Sequence, residues 1–79
     1  MRILFIVVTK KWFDQIEAGT KKEEYRDITP YWKSRLSKEY DAVLFQIGYS
    51  KNAQRCMVQF LGVEQREWFV IKLGEKISV

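Results

Sequence analysis

Residues 19–26 read Gly-Thr-Lys-Lys-Glu-Glu-Tyr-Arg, charged and polar side chains around one tyrosine in a chain otherwise built from apolar strands. Laid out as a strand, Lys22, Glu24, Arg26 and Ile28 share one face and Glu23, Tyr25 and Asp27 the other, so neither face is mainly apolar. Burial alone does not select such a strand. One reading is an edge strand protected by charge, in which Glu24 and Arg26 neutralise each other. The other is that Lys21, Glu24 and Arg26 line a cleft where a helix ends. Arg26 then offers a planar donor fork, and Glu24 orients it or accepts from a base edge. Lys21 has the wrong parity for that cleft unless it lies in a turn before regular pairing starts, which Gly19 permits.

Working outward, Arg2 to Thr9 is apolar at every second position on both faces, which predicts a central strand covered from both sides. Thr9 is the expected cap of a helix running to about Ala18 with Trp12, Phe13 and Ile16 on one face, and Gly19 supplies its left-handed stop. Thr29-Pro30 opens a second short helix over Tyr-Trp-Lys-Ser-Arg-Leu-Ser-Lys that carries Trp32 and Leu36 inward. Three further strands follow: Asp41–Gly48 with Val43, Phe45 and Ile47 alternating, Gln54–Val63 with Cys56, Val58 and Phe60, and Glu67–Leu73. No repeat or linker divides residues 1–79, so one α+β domain is expected, a small mixed β-barrel or half-barrel plugged by two short helices.

Composition narrows the chemistry. Lys and Arg number 14 against 10 Asp and Glu, a formal charge of +4 that favours anionic partners such as nucleic acid or nucleotides. Histidine is absent and Cys56 is the only cysteine. That argues against an internal disulfide, a zinc site or a Ser-His-Asp machine, and neither metal nor cofactor is expected. Cys56, in line with Val58 and Phe60, reads as a small buried hydrophobe. The opening apolar run ends after Val8 at Lys10 and Lys11, too short for a membrane span and without a cleavage region, so no membrane partner and a cytoplasmic location are expected.

Gly19, Lys21, Glu24 and Arg26 fit Gly-x-Lys-x-x-Glu-x-Arg, and with this placement after a strand and a helix the chain resembles the ASCH domains of the PUA-like superfamily. Val8-Thr9-Lys10, the helix through Phe13 to Ile16, and the closing QFLGVEQ and EWFVIKLGE, similar to compact phage-associated members, extend the likeness over nearly the whole chain. The resemblance implies a PUA-like barrel and recognition of RNA, a nucleotide or a modified nucleoside. It makes Lys21, Glu24 and Arg26 the cleft residues and Gly19 a structural turn. Some relatives look like amidohydrolases of N4-acetylcytidine that use a lysine matching Lys21, a threonine three residues later and a distant glutamate. Here Glu24 stands at the threonine position, and only Glu64, Glu67 and Glu75 offer a substitute for the glutamate. Others resemble metal-independent ribonucleases.

A lysine amine works as a general base only when its surroundings depress its pKa from about 10.4, and the residues flanking Lys21 carry charges of both signs. Binding is therefore expected ahead of catalysis, with Lys21 as the catalytic group if the protein is an enzyme. Lys10 and Lys11, at a helix start, are either phosphate contacts or solvated lysines. The loop Gly-Tyr-Ser-Lys-Asn-Ala-Gln-Arg sets Tyr49, Lys51 and Arg55 where they can stack on and neutralise a single strand, or simply form a polar turn bent at Asn52. Tyr31 and Trp32 are a stacking platform or, for Trp32, core. A third reading makes the charged strand a docking edge of a protein-interaction accessory module; a convex site favours docking, and a concave one favours a ligand.

Overall fold

The computed structural model describes residues 1–77. In chain order the elements are β1 (Ile3–Val8), α1 (Lys10–Ala18), β2 (Glu23–Arg26), α2 (Pro30–Arg35), β3 (Ala42–Ile47), β4 (Arg55–Gln65) and β5 (Phe69–Ile77). The strands form one sheet in the order β1-β3-β4-β5-β2, with β1 parallel to β3 and the other pairings antiparallel. This is the expected α+β architecture, a mixed five-stranded sheet curled into a half-barrel over two short helices. Two register shifts in β4, between Val58 and Phe60 and between Phe60 and Gly62, supply the bend. Gly74 of β5 lies against that bend, where an added Cβ would come within 2.6 Å of Gln59 Oε1 and 2.9 Å of Gln59 Cβ.

Register puts the core on the concave face. Leu4 and Ile6 pair with Val43 and Phe45, which pair in turn with Val58 and Cys56. These residues join Phe13, Ile16, Leu36, Phe69, Ile71 and Leu73 in one buried cluster. Phe13 and Ile16 of α1 and Leu36, just past the end of α2, belong to that cluster and Trp32 of α2 packs against it, so the helices cover the inner face of the curl, and this corrects the reading of the first strand. β1 is an edge strand with Leu4, Ile6 and Val8 buried, while Ile3 and Phe5 are 44% and 37% exposed. Its outer face has no helix over it.

Local signals at the helix ends hold, with one exception. Thr29 Oγ1 accepts from Trp32 N at 3.2 Å and Pro30 occupies the first turn of α2. Gly19 adopts the left-handed conformation at φ 79°, ending α1. Thr9 stands at the cap position of α1 but makes no side-chain capping bond. Trp12 departs from the buried face formed by Phe13 and Ile16 and is 40% exposed. Trp68 lies in the β4–β5 turn, where its carbonyl accepts from Arg66 N at 2.9 Å, and not in a strand. Among the described residues no helix is long and apolar enough to cross a membrane.

Candidate functional site

The charged segment begins in a turn. The carbonyl of Gln15 accepts from Thr20 N at 3.0 Å, Lys21 N at 3.2 Å and Thr20 Oγ1 at 3.2 Å, so residues 19–21 wrap back over the end of α1 before β2 starts. Lys21 thereby escapes strand alternation. Glu24 and Arg26 pair with Ile71 and Phe69, two core residues, so their side chains enter the concave side of the sheet. There Lys21 Nζ lies 3.6 Å from Glu24 Oε1, and Arg26 Nη1 lies 3.3 Å from Glu24 Oε2. The side chains of Lys21, Glu24 and Arg26 are only 10%, 6% and 22% exposed. Charges so withdrawn from water need partners, and among the described residues no buried side-chain nitrogen or oxygen lacks one.

The remaining contacts fix the trio. Glu24 Oε1 accepts from Tyr25 N at 3.1 Å. Arg26 donates through Nη1 to Tyr25 O at 2.7 Å and through Nη2 to Val7 O at 3.3 Å. The Lys21 ammonium sits 4.6 Å from the Trp12 ring centre and 5.4 Å from that of Tyr25. Arg35 of α2 repeats the pattern, donating to Phe5 O at 2.9 Å and to Tyr31 Oη at 2.7 Å. The guanidinium groups of Arg26 and Arg35 lie 5.3 and 5.1 Å from the Trp32 ring. On the other side of β2, Tyr25 Oη donates to Glu23 at 2.6 Å and Lys72 pairs with the same carboxylate. The Lys72 ammonium, with the Tyr25 hydroxyl, holds the Glu23 carboxyl below its ordinary range, and Glu23 in turn raises the Tyr25 phenol.

Three concavities surround this cluster. One of about 780 Å³ is lined by Val7, Thr9, Trp12, Lys21, Glu24 and Arg26 among others. A second, about 650 Å³, lies between Tyr25, Asp27, Tyr31, Trp32 and Trp68. A third, about 320 Å³, includes Phe5, Tyr31, Arg35 and Tyr49. Arg26 lines all three.

Of the residues singled out in the sequence, Lys21, Glu24 and Arg26 come together, Gly19 turns the chain toward them, and Tyr49, 87% exposed, stands at the edge of the third concavity. Lys10 does not join them; it is exposed and pairs with Asp14 at 2.9 Å. Lys51 lies in the exposed β3–β4 loop outside these concavities, and Arg55 donates to Gln46 Oε1 at 2.6 Å on β3. Glu64, Glu67 and Glu75 line none of the three; the threonines that do are Thr9 in the first and Thr29 in the second. Arg35, Trp12 and Trp68 had no signal as site residues. Arg35 reads as an ordinary basic residue of a last helical turn, and only the curl of the sheet brings it to β1.

Comparison with family models, with curated proteins and with solved structures finds no match.

Proposed function

We propose that the cleft between β1 and β2 binds a nucleotide unit, either as a free or modified nucleotide or within RNA, as the resemblance to ASCH domains implies. The observation that carries this reading is the composition of one concave wall: Lys21 and Arg26 against a single carboxylate, Glu24, with the ring of Trp12 beside them. Two cations held by one carboxylate leave a positive excess, which suits a phosphate, and the flanking ring suits a base. Concavity also favours a ligand over a protein-docking edge. The Lys21 amine rests against two π faces and the Glu24 carboxylate, contacts that hold it in place in the wall of the cleft and support a binding role.

Calorimetric titration with the four ribonucleoside monophosphates and N4-acetylcytidine at low and high salt tests it. The expected result is binding that weakens as salt rises and drops about tenfold or more in Lys21→Ala and Arg26→Ala. Absence of binding at low salt, or full binding by both variants, would overturn it. Turnover of N4-acetylcytidine or of labelled RNA that disappears in Lys21→Ala would replace binding with hydrolysis.

A further inference from the structure

We infer that the concavity between Tyr25, Tyr31 and Trp68 is a second base subsite, so that the preferred ligand is a single strand of at least two nucleotides whose linking phosphate lies at Arg26. The inference rests on the nucleotide reading of the first cleft and adds a site and a ligand length to it. Its ground is the position of Arg26, which with Tyr25 forms the wall shared by the Lys21–Glu24 cavity and the aromatic one. A fork of donors where two concavities meet suits a phosphodiester.

The second concavity is built for flat rings. Tyr25, Tyr31 and Trp68 are 43%, 59% and 45% exposed, while Trp32 beneath them packs on the core. The exposed rings are held in place. Tyr25 is anchored through its hydroxyl to Glu23 and stands edge-on to Trp68 with centroids 6.1 Å apart, and Tyr31 is anchored through its hydroxyl to Arg35. Fixed aromatic faces stack a base with little ordering cost, and base stacking is tolerant of sequence. Charge sets where the phosphate lies. Arg26 and Arg35 lie on the β1 side and Asp27 on the wall of the aromatic concavity, so phosphate is drawn to the guanidinium side and repelled from the side where the base enters.

Equilibrium binding of uridine monophosphate, the uridine dinucleotide and oligouridines of three and six nucleotides, with the thymidine series in parallel, tests the subsite. The expected result is a tightening of about tenfold or more on adding the second nucleotide. Trp68→Ala and Tyr31→Ala should abolish that gain and leave monophosphate affinity unchanged, while Trp68→Phe keeps most of it. Both rings are exposed, so these variants should melt like the parent. Equal affinity for one and two nucleotides, or a gain that survives both alanine variants, overturns the second site and leaves the first standing. Absence of binding to every member of both series overturns both.

Discussion

Arg26 on β2 donates through Nη2 to the backbone carbonyl of Val7 on β1 at 3.3 Å, joining the two edge strands of the sheet through a side chain. Arg2 O faces β3, accepting from Asp41 N, so by strand alternation the Phe5 and Val7 carbonyls face the free edge. Both are taken by guanidinium groups, Phe5 O by Arg35 and Val7 O by Arg26. Where a closed barrel would have a backbone ladder, this half-barrel has a seam of arginines, and the candidate cleft opens along it.

Removing those guanidiniums should expose the β1 edge. The double variant Arg26→Ala/Arg35→Ala is expected to self-associate in a concentration-dependent way, because bare strand-edge carbonyls beside the exposed Ile3 and Phe5 template pairing with another chain. Sedimentation velocity reads this, and a double variant as monodisperse as the parent would refute the edge-capping role.

Glu24 should matter for stability as well as for binding. Glu24→Gln leaves Lys21 and Arg26, both largely withdrawn from water, without their shared counter-charge, and is expected to cost about 3 kcal/mol in urea unfolding. Adding Lys21→Met should recover part of that loss. A Glu24→Gln protein as stable as the parent would mean that the trio is solvated.

Gly74 answers to packing against Gln59. Gly74→Ala is expected to destabilise by about 1–3 kcal/mol, because its Cβ would meet Gln59 at both Oε1 and Cβ. Gln59→Ala in the same chain should relieve only the Oε1 part of the clash, because alanine keeps the Cβ at 2.9 Å, and gives up the hydrogen bond that Gln59 Oε1 accepts from Glu75 N. Thermal melts of the single and double variants check the sign.

Cys56 should be inert in the native protein. Burial, aided by Glu17, pushes its thiol up to about 11, so almost no thiolate exists at pH 8. Iodoacetamide should label it slowly in buffer and rapidly in denaturant, and equal rates would contradict its burial.

Acid should cost the protein a little stability through two of its surface ion pairs. The Lys76 ammonium lowers the Glu17 carboxyl and the Lys72 ammonium lowers that of Glu23, each from an ordinary 4.5. With folded values below the unfolded ones, the stabilisation from both is complete above 4.5 and is lost as pH falls through their lowered values. Melting temperature should therefore be flat between pH 5 and 7 with respect to these groups and fall below about 4.5. The fall should be shallower in Glu17→Gln/Glu23→Gln; an unchanged slope would exclude these pairs.

Much of the architecture was legible because it follows from local rules. Gly19 could end α1 in a left-handed turn whatever surrounded it, Thr29-Pro30 could start α2, and the alternation of Val43 with Phe45 and of Cys56 with Val58 marked the buried face. Less legible were the positions that depend on which strand lies beside which. Ile3, Phe5 and Val7 are as apolar as a second buried face, and nothing local says that the helices would cover only one side. Trp12 lies within the same helix as Phe13 and Ile16, yet its ring stays outside the core, and the turn at Gly19 brings the Lys21 ammonium over it.

The segment 19–26 shows the division most clearly. Its composition and parity were enough to say that burial of apolar surface did not choose it, and that Lys21 needed a turn to meet Glu24 and Arg26. Whether those charges faced water on an outer edge or each other in a cleft was decided only by the curled sheet. Periodicity assigns a side chain to a face, but the inner or outer character of that face depends on long-range pairing. Here the pairing of β2 with β5 and the approach of Arg26 to β1 carry charged residues to positions opposite the core residues Ile71 and Phe69.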